Sequence, residues 1–156
     1  MTDPFSIAIV VGSPSERSRS VAVARRLSER LSRQAFRVRI ISVRELSADA
    51  LLHGNADAPD IAQARQAIEQ ADGVIVLSPV YKAAYTGLLK AFLDLLPQRV
   101  LRGKVVLPLL TGGSLAHVLA LDYGLRPVLQ SLEPRHIVAG LFLLDQWITI
   151  GDSGSA

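Results

Sequence analysis

The feature that most limits the fold is the run Val74-Ile75-Val76-Leu77, unbroken in apolarity, rich in β-branched residues and followed at once by Ser78-Pro79. Continuous apolarity, rather than alternation, is what a strand covered on both faces requires. The run predicts a central strand of a parallel sheet that stops at Ser78-Pro79, because proline has no N–H to give to a ladder. A loop from Val80 to Thr86 follows, carrying Tyr81, Lys82 and Tyr85, and Gly87 leads into an apolar helix that ends at Pro97. In open α/β sheets ligands lie beyond the carboxyl ends of the strands, so Pro79–Gly87 is the first place to expect a site.

The same order of strand, loop and helix recurs along the chain. Phe5–Val11 reads as the first strand and runs into Gly12-Ser13-Pro14-Ser15-Glu16-Arg17-Ser18-Arg19-Ser20, then a helix from about Val21 to Gln34. Phe36–Val43 is a second strand nearer an edge. Arg44–Pro59 is a long connection with no recognisable constellation, and Asp60 caps a short helix that runs to Gln70. Val105–Leu110 is a fourth strand made irregular by Pro108, and it ends at Thr111-Gly112-Gly113-Ser114. A helix over Leu115–Leu132, bent by Pro127, precedes a fifth strand, Arg135–Leu144. Five strands alternating with four helices predict a doubly wound α/β domain over residues 1–150, with a polar tail at 151–156. The expected strand order is 2-1-3-4-5, which gathers the loops at 12–20, 78–87 and 111–114 on one edge of the parallel sheet.

Composition removes several kinds of function. With 49% apolar and 20% charged residues the chain is an ordinary globular one. No stretch approaches the about 18 apolar residues of a membrane span. The N-terminus enters a strand with no basic leader, so no membrane association and a cytoplasmic location are expected. The absence of cysteine excludes disulfides, thiol redox chemistry and iron–sulfur ligation, leaving redox work to a bound cofactor. His53, His117 and His136 lack paired metal spacing, so no metal is expected. Of the seventeen basic residues, nine lie between Arg17 and Arg44, on a chain of net charge +3. No aromatic side chains are interleaved with Arg25, Arg26, Arg30 and Arg33, so a solvated helix face is expected and not a nucleic-acid surface. A basic flank of this kind still attracts phosphate-bearing small molecules.

The 12–20 loop carries the sharpest chemical signal. Free amides and the dipole at a helix start favour an anion. Ser13, Ser15, Ser18 and Ser20 add hydroxyls, and Arg17 and Arg19 add charge. Neither the Gly-Lys-Ser/Thr ending of a Walker loop nor the G-x-G-x-x-G dinucleotide fingerprint is present. Many short donors suit a terminal phosphate monoester, and a single serine would have sufficed as a cap. Gly112-Gly113 would let a flat ligand approach the backbone, although a plain helix-entry turn accounts for the pair equally well. The chemistry of receiver domains, which share this fold, is excluded because acidic residues are missing after strands one and three.

These motifs together resemble those of the NADPH-dependent FMN reductases, in particular the reductases of two-component alkanesulfonate monooxygenase systems. The resemblance spans about Ile7 to Leu144. It is carried by Gly12-Ser13-Pro14 with Ser18-Arg19-Ser20, by Ser78–Gly87 (SPVYKAAYTG), by Gly103–Pro108, by Thr111-Gly112-Gly113 and by Asp122-Tyr123. It implies a flavodoxin-like fold and hydride transfer from NADPH to FMN, with reduced flavin supplied to a partner monooxygenase. It further implies that Ser13, Ser18, Arg19 and Ser20 hold the FMN phosphate. Pro79, Val80, Tyr81 and Lys82 would lie along the flavin ring, with Thr111, Gly112, Gly113 and Ser114 closing the other side and no catalytic acid or base. Tyr123 matches a helix-bulge tyrosine near the oligomer interface of some members and would tune flavin exchange. Quinone or azo-dye reduction with tightly held FMN is an alternative on the same fold. A flavodoxin-like electron carrier is disfavoured by the net charge of +3. Ser15 stands where close relatives have arginine. The closing helix that follows strand five in relatives is not evident here, which together with the apolar Leu88–Leu96 helix leads us to expect a homo-oligomer, dimer or tetramer.

Overall fold

The computed structural model describes residues 4–151. Among them are strands β1 (Ser6–Val11), β2 (Arg37–Ser42), β3 (Gly73–Tyr81), β4 (Ala84–Tyr85), β5 (Val105–Gly112), β6 (His136–Ile137) and β7 (Leu141–Leu144). The helices are α1 (Arg19–Arg33), α2 (Ala48–His53), α3 (Pro59–Gln70), α4 (Gly87–Leu93) and α5 (Arg126–Gln130). The sheet runs β2-β1-β3-β5-β6, with β7 continuing along β5 beyond β6 and β4 folded back on β3. All pairings are parallel except β3–β4. This is the expected 2-1-3-4-5 flavodoxin-like order with the fifth strand broken in two.

The break has a cause in Pro108. The amide of Val138 donates to the carbonyl of Val106. In a parallel ladder the next donor along β5 would be residue 108, aimed at the Val138 carbonyl. Proline has none, so pairing lapses until Leu109 meets Leu141. The guanidinium of Arg126 takes over, donating to Ile137 O at 3.3 Å and Val138 O at 3.4 Å.

Alternate residues of the strands feed two cores. Ala8, Val10, Val74, Val76, Val106 and Leu110 join α2–α5 in the larger one. Ile9, Val11, Ile75, Leu77 and Leu109 pack under α1 alone. On that second face Val105 and Leu141 remain 44% and 57% exposed, because α1 lies over the other end of the sheet. The apolar residues of α4 are not a spare surface. Leu89, Phe92 and Leu93, with Leu96 just beyond the helix, all enter the larger core, so the apolarity of this stretch does not call for self-association.

Four further local expectations are corrected. The 44–59 connection contains helix α2, capped by Ser47 and closed by Gly54 at φ 71°. Asp60 does not cap α3, which starts at Pro59 after Ala58; its carboxylate instead accepts from the amide of Ser47 at 2.5 Å. The single helix expected over 115–132 is a 3₁₀ turn at Leu115–His117, a π-helix at Ala120–Leu125 and then α5, with Pro127, which has no N–H to donate, just after the passage from π-helix to α5. β3 does not stop at Ser78-Pro79 but continues to Tyr81. Of the tail, residues 152–156 lie outside the described residues. No helix among the described residues is long and apolar enough to cross a membrane.

Candidate active site

The continuation of β3 through Pro79 organises the edge of the sheet where the three loops meet. The Gly12 amide donates to Leu77 O at 2.8 Å, closing the β1–β3 ladder. The next donor should be residue 79, aimed at Gly12 O, and proline again supplies none. The hydroxyl of Thr86 donates to that carbonyl instead. Thr86 also caps α4 by accepting from the Leu89 amide, and its own amide donates to Ser78 Oγ. One buried threonine therefore bonds the first loop to the second. A side chain at position 12 would place its Cβ 2.5 Å from Leu89 Cβ, so only glycine lets the loop lie on α4.

The third loop is joined to the other two at Thr111. It is the register partner of Pro79, and its hydroxyl shares a 2.8 Å hydrogen bond with Ser20 Oγ, both side chains buried. Ser20 is thus committed to holding the loops together, and its hydroxyl does not face solvent. Ser13 is likewise buried, with its hydroxyl bonded to the amide and carbonyl of Ser15 at 3.3 Å. Ser18 is the N-cap of α1 and accepts from Val21 N. Behind it, the amides of Arg19 and Ser20 have no helical carbonyl to reach.

Of the remaining residues singled out in the sequence, Tyr81, Lys82, Gly113 and Ser114 are exposed at the same edge. Pro79 and Val80 are half-buried and Gly112 is buried against Phe142, whose ring a Cβ would strike at 2.8 Å. Lys82 and Ala83 turn β3 into β4 with φ of 50° and 66°, a hairpin turn that glycine or asparagine would adopt with less strain. Tyr123 lies within the π-helix at Ala120–Leu125 and is 80% exposed.

Several residues at this edge escaped sequence reasoning. Thr86 preceding a helix was a legible N-cap signal. Asp145 was not. It follows β7 directly and meets Arg19, whose Nε donates to Asp145 O at 3.0 Å while Nη1 lies 3.8 Å from Asp145 Oδ2. Arg44, just beyond β2, donates to Pro14 O at 3.3 Å and steadies the first loop from outside.

A profile described as "NADPH-dependent FMN reductase" matches residues 5–149. The chain belongs to this family. An "FMN reductase (NADPH)" of Pseudomonas putida KT2440 is 43% identical over 94% of this chain and 74% of its own. One of Escherichia coli K12 is 43% identical over 91% and 74%. The solved apo form of the NADH:FMN oxidoreductase EMOB superposes with a TM-score of 0.84 at 50% identity, covering 91% of this chain and 76% of that one. The reductase is therefore an oxidoreductase of FMN and NADPH with a flavodoxin-like fold. Its donor set fits a phosphate monoester. The guanidiniums of Arg17 and Arg19, the hydroxyls of Ser15 and Ser18 and the first amides of α1 share one loop, and Glu16 is the only acidic residue in it. A groove of about 640 Å³ lies on the outer face of α1, between its arginines and Thr149–Gly151. It meets the three-loop edge of the reductase through Glu16, Arg17 and Ser18, and none of its lining residues belongs to the 78–87 or 111–114 loops.

Proposed function

We propose that the chain binds FMN with its phosphate at Arg19, Ser18 and the first amides of α1, with Ser13 and Ser20 holding that loop in shape from behind. The ring lies along Pro79, Val80, Tyr81 and Lys82, and the segment Thr111, Gly112, Gly113 and Ser114 closes the other side. FMN, when bound, supplies the hydride chemistry. The chain's own residues bind, orient and keep out water, with no side chain acting as acid or base. Reduced flavin passes to a separate flavin-dependent monooxygenase of the alkanesulfonate type, serving sulfur acquisition in the cytoplasm. Leu115, Leu119 and Tyr123 are 56%, 62% and 80% exposed on one short segment, and this apolar patch is the contact of a homo-oligomer, dimer or tetramer. Tyr123 tunes flavin retention from there.

The observation that carries this proposal is the convergence of the three loops through Thr86–Gly12, Pro79–Thr111 and Ser20–Thr111. The test is steady-state NADPH oxidation with FMN, FAD and riboflavin, in the wild type and in Arg19→Ala. Oxidation should depend on added FMN, and the substitution should raise the KM for FMN about tenfold or more, the worth of a charge-assisted hydrogen bond, while sparing riboflavin. Equal use of FMN and riboflavin by the wild type would overturn the phosphate assignment.

A further inference from the structure

We infer, on the basis of the flavin-phosphate assignment above, that Asp145 is a built-in competitor for Arg19 and sets how readily a phosphorylated flavin leaves. Two contacts join the pair, and they do different things. The bond from Arg19 Nε to the Asp145 carbonyl, at 3.0 Å, anchors the guanidinium to main chain, and no side-chain substitution at 145 removes it. The carboxylate stands 3.8 Å from Nη1, beyond hydrogen-bond range. It adds little to the aim of the guanidinium but places a negative charge beside it. The carboxylate also faces the third loop, since a Cβ built on Gly113 would lie 3.7 Å from Asp145 Oδ2. It therefore sits on the rim between the phosphate loop and the Thr111–Ser114 loop.

A phosphate accepting from the outer nitrogens of Arg19 meets this carboxylate as a like charge, and the two anions compete for one cation. Arg19 and Asp145 side chains are 45% and 33% exposed, so solvent moderates the effect without abolishing it. Among the described residues Asp145 is the only ion-pair partner of Arg19. The consequence is a phosphate grip weaker than the loop's donors alone would provide, as suits a flavin that is taken up and let go. Asp145 is thus a positioning residue that acts through Arg19.

The test is flavin binding to the wild type, Arg19→Ala, Asp145→Asn and Asp145→Glu, read by fluorescence quenching for affinity and by stopped flow for release, with FMN and riboflavin in parallel. Asp145→Asn should tighten FMN binding about threefold to tenfold, slow FMN release and leave riboflavin unchanged, as expected for one half-screened charge. The gain should shrink in high salt, and Asp145→Glu should restore the wild-type affinity. Unchanged or weaker FMN binding in Asp145→Asn, or an equal change for FMN and riboflavin, would overturn the inference while Arg19→Ala still weakens FMN selectively. If Arg19→Ala binds FMN as the wild type does, the phosphate assignment falls, and the inference with it.

Discussion

At the scale of single residues, two prolines and the side chains that answer them shape the functional edge. Pro79 and Pro108 each withhold the next donor of a parallel ladder, and Thr86 and Arg126 donate to the carbonyls left behind. An unpaired buried carbonyl is costly, so these replacements are structural necessities. Thr86 does three things at once: its hydroxyl donates to Gly12 O and accepts from Leu89 N to cap α4, and its amide donates to Ser78 Oγ. Replacing Thr86 with the isosteric Val should therefore cost about 2–3 kcal/mol, the loss of a cap plus an unsatisfied buried carbonyl. Denaturant unfolding would measure it, and a cost below about 0.5 kcal/mol, the range of ordinary surface changes, would refute this account of the threonine.

At the scale of elements, the hairpin that extends β3 departs most from local preference. Its two turn residues, Lys82 and Ala83, both have positive φ, where asparagine and glycine are the usual occupants. Strain of this kind is kept where the surroundings demand it, which agrees with a turn at the rim of the proposed flavin site. Changing Lys82-Ala83 to Asn-Gly should stabilise the fold by about 1–2 kcal/mol, seen as a higher urea midpoint at unchanged slope. A lower midpoint would mean that the lysine and alanine side chains hold the turn by contacts that outweigh its backbone strain.

At the scale of the whole molecule, the sheet is held at both ends by different means. The carboxyl edge carries the three joined loops. At the opposite edge Asp72 joins the starts of β1 and β3, accepting from Ser6 N at 2.8 Å and Ser6 Oγ at 2.9 Å while its amide donates to Ser6 O. The Ser6 amide, then the Ser6 hydroxyl, hold the Asp72 carboxyl below its ordinary value, with a lesser pull from Lys104. A depressed acid contributes stability that is complete above the unfolded carboxylate pKa of about 4 and is lost as pH falls through the folded value. Stability followed by urea melts from pH 6 to pH 3 should therefore fall more steeply in the wild type than in Asp72→Asn, the two curves converging at the acid end. Parallel curves would show that the Ser6 bonds do not favour the charged form.

The residues themselves determined the layered α/β plan, the strand order and the composition of each loop. Buried parallel strands must be apolar throughout, and helix starts that follow them must be small and polar, so these features are visible locally. The extent of β3, the split of the last strand and the 3₁₀ turn that opens the 115–132 segment were not visible, whereas the bulge at Tyr123 was expected and is present as a π-helix. Whether a proline ends a strand depends on which neighbour its missing N–H would have faced. The roles of the loop side chains were equally a matter of tertiary contact. Ser20 meets Thr111, Gly12 meets Thr86 and Arg19 meets Asp145 only once strands far apart in the chain are paired. A hydroxyl's composition says that it can bond; the packed sheet alone decides whether that bond goes to a ligand or to the protein itself.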